Sequence, residues 1–152
     1  MGLNRFAKGF LDPLIELYST TENQTARRCC PKAFVQLFKN FPDQPFPDSV
    51  MEMLEQGIND QDMVVVQGAL MCLGQIGKQQ FKSEEAIHIL AKSLSSQNVA
   101  LIFSASQALA DIPNPLAEDA LRSLQNNNAD PLIQEAAQSA LARLQNLLNS
   151  KG

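Results

Sequence analysis

The chain has few aromatic side chains on which a flat ligand could stack. Its 152 residues contain no Trp, one Tyr and eight Phe, and stacking on bases depends on such platforms. The scarcity argues against nucleic-acid and glycan binding. Charged residues are also few, at 18%, while apolar residues make up 45%. This balance is typical of one globular domain rather than of a disordered chain.

Groups that could carry out catalysis or hold a metal are equally scarce. His88 is the one histidine of the chain, and it has only Glu84 and Glu85 at helical spacing, which do not complete a zinc or iron site. The sequence also has no Gly-x-Ser-x-Gly motif and no glycine-rich phosphate loop. We therefore expect a non-catalytic protein without a bound metal.

The three cysteines do not make up a disulfide set. Two of them, Cys29 and Cys30, are adjacent, and neighbouring positions on a helix point in different directions. This usage fits a reducing compartment. No segment has the length of a signal peptide's apolar stretch or of a membrane span, so we expect a cytoplasmic protein. Cys29 follows two arginines, which favour a reactive thiolate, and a reactive role for it stays open.

What the sequence does contain is one pattern repeated four times. An Asn or Asp is followed, at seven and ten residues, by small side chains and, at eleven and fourteen residues, by large apolar ones. The repeats are spaced by 39, 36 and 32 residues, which is the range of helical solenoids. The four starting positions, here called the ladder residues, are Asn23, Asp62, Asn98 and Asp130.

The ladder predicts where helices begin. A short Asn or Asp side chain caps a helix N-terminus, and the apolar spacing that follows is one face of an amphipathic helix. The pattern therefore predicts second helices over 24–40, 63–77, 99–112 and 131–148, with shorter first helices over 13–18, 49–58, 84–94 and 115–124. Together they predict an all-α fold, a right-handed α-solenoid of about four helix pairs. The chain would be a single domain over 1–152, with repeats near 3–41, 46–77, 83–112 and 114–148.

Three segments resemble the HEAT-repeat family, and in particular the short repeats of phycobilisome-lyase-like HEAT proteins. Residues 68–77 are the nearest to that family's A-x-x-A-L-G-x-I-G pattern, and 104–112 and 135–144 repeat parts of it. Only Arg27 or Arg28 supplies the basic residue that the family often has near the start of the second helix. The resemblance spans about 20–148. It implies a helical-repeat fold and, for the phycobilisome-lyase-like relatives, a role in attaching or removing a bilin.

A row of second-helix positions is the predicted binding surface. In α-solenoids the second helices usually line the concave side, and a Met or Phe exposed there can anchor a partner helix or peptide. The alternative is that a small rotation buries both apolar residues of this row in the core. The predicted partner-binding residues are Arg28, Lys32, Gln67, Met71, Phe103 and Gln107.

The main functional hypothesis is a protein-binding scaffold or adaptor that uses this concave face. The alternative is a phycobilisome-lyase-like protein acting in bilin attachment or removal, with bilin as its only expected cofactor. DNA binding is disfavoured, because residues 41–152 carry six basic and thirteen acidic side chains. We expect no nucleic-acid or membrane partner. The apolar residues Leu144, Leu147 and Leu148 near the C-terminus could form the interface of a homodimer or larger assembly.

Overall fold

A computed structural model describes residue 9, residues 11–79 and residues 82–150. Across these residues the chain forms eight α-helices and no strand. The helices form four consecutive pairs, so the predicted all-α fold is confirmed, whereas the expected start of the first repeat at residue 3 lies outside the described residues. The helices are α1 Asp12–Thr20, α2 Gln24–Asn40, α3 Asp48–Gly57, α4 Met63–Gly77, α5 Ser83–Ser93, α6 Val99–Ala110, α7 Pro115–Asn127 and α8 Pro131–Ser150.

Each second helix (α2, α4, α6 and α8) is capped by its ladder residue, as predicted. The side-chain oxygen of Asn23 accepts a hydrogen bond from the amide of Ala26 at 3.1 Å, and Asp62 accepts from the amide of Val64 at 3.0 Å. Asn98 and Asp130 cap the later helices in the same way. These bonds satisfy amides that have no partner inside the helix, which explains why the repeat begins with Asn or Asp.

A second set of caps lies two residues before each ladder residue. Here the side-chain oxygen accepts a hydrogen bond from the amide of the ladder residue itself, for example from Asp62 at 2.8 Å. All four second helices are therefore entered through the same two-step turn, which gives them a common starting geometry. The residues of this second set are Thr21, Asp60, Ser96 and Asn128.

The apolar stripe of the second helices forms the core. The first large position of the stripe is fully buried at Phe34, Leu73 and Leu109, and the small residues beside it allow the helices to approach closely. Consecutive second helices contact each other in the order α2, α4, α6, α8 and form one layer. The first helices pack against them as a second layer. The arrangement is that of a helical solenoid.

Two glycines of α4 mark the closest approach between α4 and the following repeat. A methyl group built on Gly77 would overlap Cδ1 of Ile112 and stand 2.9 Å from its Cγ1. One built on Gly74, a turn earlier, would lie 3.4 Å from the Cβ of Ala108, an ordinary contact distance. Of these two glycines, only Gly77 has the space that a side chain would need filled by the following repeat.

One of the three C-terminal leucines expected to form an apolar edge lies in the core instead. Leu144 is fully buried, and Leu147 and Leu148 pack partly buried against the core. Their side chains fall on the inward stripe of α8, and polar residues such as Gln138 and Gln145 are exposed instead. The expectation of an exposed Leu144 edge is therefore wrong. A homodimer stays a prediction, but an exposed Leu144 no longer supports it.

Candidate functional site

The first junction between repeats is closed by arginines on the second-helix layer. Arg28 Nε lies 2.7 Å from Oδ2 of Asp62, and Gln24 donates to the same oxygen at 2.8 Å. The hydrogen bond from Arg28 lowers the pKa of Asp62 to about 2. Arg27 pairs with Asp60 beside it. Of the two positive charges predicted to meet a partner here, that of Arg28 is therefore engaged within the protein, whereas Lys32 has no ion pair among the described residues.

The last junction is closed on the same layer by Arg143. Its guanidinium donates to the side-chain oxygen of Gln107 at 2.8 Å and to the backbone oxygen of Gln107 at 3.0 Å. It also lies 3.1 Å from a carboxylate oxygen of Asp111. One arginine thus ties α8 to α6 through three acceptors.

The middle junction has its ion pairs on the opposite layer. Lys82, the residue before α5, pairs with Asp48, and Lys92 of α5 lies 3.0 Å from Glu55, so both pairs join this repeat to α3. Within the part of the chain that the structure describes, no ion pair joins α4 to α6. The contact between these two helices on the second-helix layer is therefore made by packing, without an ion pair across it.

A groove of about 460 Å³ runs over the surface of this layer, across α2, α4 and α6. Its base includes the buried side chains of Val35 and Leu70, while Met71, with 58% of its surface exposed, stands over them. The mixture of an apolar base with polar side chains around it is the usual composition of a small-molecule or peptide site. The second-helix groove is lined by Val35, Lys39, Gln67, Leu70, Met71, Gly74, Gln75, Lys78, Ser104, Gln107, Ala108 and Asp111.

Three of the six predicted binding residues meet in this groove, namely Gln67, Met71 and Gln107. Arg28 and Lys32 are exposed outside it. Phe103 is partly buried and does not line it. A helical side chain leans towards the N-terminus of its helix. Phe103 lies one turn before Gln107, so its side chain leans away from the part of the groove that Gln107 lines.

The profile of the HEAT-repeat family matches residues 51–142, which run from α3 into α8. The chain belongs to the HEAT-repeat family. It is 38% identical over 150 residues to the bilin biosynthesis protein CpeZ of Synechococcus sp. (strain WH8020), covering 98% of this chain and 81% of that one. The resemblance to phycobilisome-lyase-like HEAT proteins is thereby confirmed.

Two further proteins are similar to this HEAT-repeat chain. The uncharacterized phycocyanin operon protein Z of Pseudanabaena tenuis (strain PCC 7409) is 29% identical over 135 residues, which are 88% of this chain and 64% of that protein. A crystal structure of an engineered protein matches with a TM-score of 0.52 and 20% identity, over 88% of this chain and 61% of the other. The second match concerns the fold alone.

The sequence pattern missed two lysines that line the second-helix groove. Lys39 lies in the last turn of α2, and Lys78 follows the last residue of α4. Both are exposed and both line the groove. Each lies sixteen residues after its ladder residue, so the repeat spacing that selected the predicted row would also have found them had it been carried to the helix ends.

The remaining candidate groups lie away from this groove. Burial raises the pKa of the Cys30 and Cys72 thiols, and Cys72 donates to the backbone oxygen of Pro31, so both act as small core residues. Cys29 is exposed on α2 but does not line the groove. His88 lines a separate depression beside α5. None of the described helices is long and apolar enough to span a membrane, and the described residues hold no group of three or more His, Cys, Asp or Glu side chains that could bind a metal ion.

Proposed function

We propose that this protein acts in bilin attachment or removal by binding the bilin non-covalently in the second-helix groove. The observation that carries the proposal is the groove across α2, α4 and α6, with Met71 exposed over an apolar base. The similarity of nearly the whole chain to a protein named for bilin biosynthesis supports a tetrapyrrole as the occupant.

The size and chemistry of the groove suit such a ligand. A volume of about 460 Å³ falls within the usual range of about 300–1,000 Å³ for small-molecule sites. Met71 offers a polarizable, flexible thioether that adapts to a conjugated ring system. The groove lining contains no Cys and no His, so the proposed role is to hold and present the bilin, while the bond-forming groups belong to the acceptor protein.

Absorption and circular dichroism spectra test the proposal directly. Purified protein is mixed with biliverdin, and we expect a shifted visible band and an induced dichroism, because the bound bilin lies in a chiral site. Met71→Asp places a charge over the apolar base and is expected to weaken binding at least tenfold, since a bound apolar ring would have to desolvate the carboxylate.

The matched control is Leu132→Asp, which changes an apolar residue with 65% of its surface exposed on α8, outside the groove. It is expected to bind biliverdin as the wild type does. Far-UV dichroism and melting temperature establish that both variants are folded. An unperturbed spectrum with the wild type, or equal binding by the wild type and Met71→Asp, would count against the groove.

A protein-binding scaffold is the second candidate, and the exposure of Met71 on a repeat-built surface is what favours it. Methionines on open helical faces commonly anchor partner helices. In this case the wild type would capture a bilin-acceptor protein in a pulldown without added bilin, and Met71→Asp would lose it while Leu132→Asp would not. Capture that is indifferent to Met71 would remove the groove as the protein-binding surface.

A further inference from the structure

Lys39 and Lys78 occupy one end of the second-helix groove, on the helices α2 and α4 that stack against each other. Their equal distance from the ladder residues Asn23 and Asp62 gives them the same height on successive repeats. Packed helix axes lie about 8–10 Å apart, and each ammonium group sits on a flexible four-carbon stem. The two charges can therefore reach two groups of one ligand.

The charges of these lysines are not neutralised by the described residues. The one carboxylate that lines the groove, Asp111, pairs with Arg143 at 3.1 Å. Across the described ranges, Lys39 and Lys78 have no ion pair, and Lys32, two turns before Lys39 on α2 and outside the groove lining, has none either. The other described basic residues are all paired with a carboxylate, namely Arg27, Arg28, Lys82, Lys92, Arg122 and Arg143.

The C-terminal ends of α2 and α4 attract positive charge through the helix dipole, which holds the lysines near their helices without cancelling their charge. The groove thus combines an apolar base around Met71 with a doubly positive end. The ligand complementary to this surface has an extended apolar body and two anionic groups on one side.

We propose that Lys39 and Lys78 bind the two propionate carboxylates of a tetrapyrrole whose ring system lies over Met71. This inference rests on the proposed function and adds to it the orientation of the ligand and the groups that select it. Each lysine acts as a point charge on one carboxylate. Neutral tetrapyrroles of the same shape are then discriminated against by their lack of charge.

The test compares biliverdin with its dimethyl ester, in which both carboxylates are neutralised while the ring system is kept. We expect the wild type to bind the diacid roughly tenfold more tightly at low salt, the ratio that two partly exposed ion pairs of usual strength give. In the variant Lys39→Gln/Lys78→Gln, this preference is expected to fall to about twofold or less, with binding of the ester unchanged.

The matched control is Lys32→Gln/Lys92→Gln, which removes the same total charge from residues outside the groove. It is expected to keep the preference for the diacid. Melting temperatures of both double variants show that loss of binding is not loss of folding.

The outcomes separate this inference from the function on which it rests. If the wild type binds both ligands equally, or if Lys39→Gln/Lys78→Gln keeps the preference for the diacid, the lysine anchor is overturned while bilin binding stands. If the wild type binds neither ligand, both proposals fall. If the double lysine variant leaves bilin binding intact and instead loses capture of an acidic acceptor protein, the lysines serve a protein surface and the anchor is likewise overturned.

Discussion

Adding a single methyl group at Gly77 tests how closely the second helices pack. In Gly77→Ala the new Cβ would overlap the tip of Ile112 and stand 2.9 Å from its Cγ1. Ile112 is fully buried, so its side chain has little space into which to rotate. The helices α4 and α6 would have to move apart, or Ile112 would have to adopt a strained rotamer.

The expected magnitude follows from two opposing effects. Overpacking a core by one methyl group costs about 1–3 kcal/mol, whereas replacing Gly by Ala inside a helix gains up to about 1 kcal/mol. The gain is smaller at Gly77 because it is the last residue of α4. We therefore expect a net loss of about 1–2 kcal/mol, which lowers the melting temperature of a chain of this size by about 3–6 °C.

The same substitution one turn earlier is the control. In Gly74→Ala the new Cβ meets Ala108 at 3.4 Å, so no overlap opposes the gain in helix propensity, and the melting temperature is expected to stay constant or rise by up to about 3 °C. Ile112→Val removes the overlapping Cδ1 atom. It costs about 0.5–1.5 kcal/mol in the wild type and less in Gly77→Ala, where it also relieves the overlap.

Urea unfolding of the four proteins of this double-mutant cycle, together with Gly74→Ala, measures these differences. Two results would refute the reasoning. One is that Gly77→Ala is as stable as Gly74→Ala, and the other is that Ile112→Val costs the same in both backgrounds. Either would mean that α4 and α6 are not held at the distance that the glycine requires.

Three further predictions concern the helix caps, the core and the acid response. Asn98→Ala removes the cap of α6 and is expected to cost about 0.5–2 kcal/mol in urea unfolding, while Asn98→Gly costs only a few tenths. Leu73→Ala leaves a cavity at a fully buried position and is expected to cost about 2–5 kcal/mol; a cost below about 1 kcal/mol would contradict its placement. The pKa of Asp62 is lowered to about 2 by Arg28, so its carboxylate stabilises the fold above pH about 4, and this contribution is lost as the pH falls towards 2. The melting temperature of the wild type should therefore fall more steeply over that interval than that of Asp62→Asn, and parallel curves would exclude the assignment.

The helices and their caps could be predicted because their signals are local. Asn23 and Asn98 cap helices through amides only three residues away, and the apolar stripe fixes which side of each helix is buried. The same phase placed Met71 outside the core, where the structure has it. Such features depend on nearest neighbours in sequence and on one helical period.

The rest of the groove depends on contacts between repeats, which a pattern within one helix does not contain. Arg28 falls in the predicted row, but its charge is taken up by Asp62, 34 residues later. Gln107 is held by Arg143, 36 residues later. Which polar residues remain available is decided by these long-range pairs, so repeat spacing alone identified the surface and not its unpaired groups.

The ion pairs alternate between the two faces of the solenoid. They lie on the second-helix layer at the first and last junctions and on the first-helix layer at the middle one. At each junction the ion pairs therefore join the two repeats on one face only. Such exposed pairs weaken as salt screens them, while the apolar packing between neighbouring repeats does not.

We therefore expect added salt to change the angles between neighbouring repeats without unfolding the solenoid. Weakening the ion pairs at the first and last junctions would let the second-helix layer open there. Weakening the pairs at the middle junction would let the first-helix layer open instead. The width of the groove should then change with ionic strength, and the binding of even an uncharged ligand should change with it.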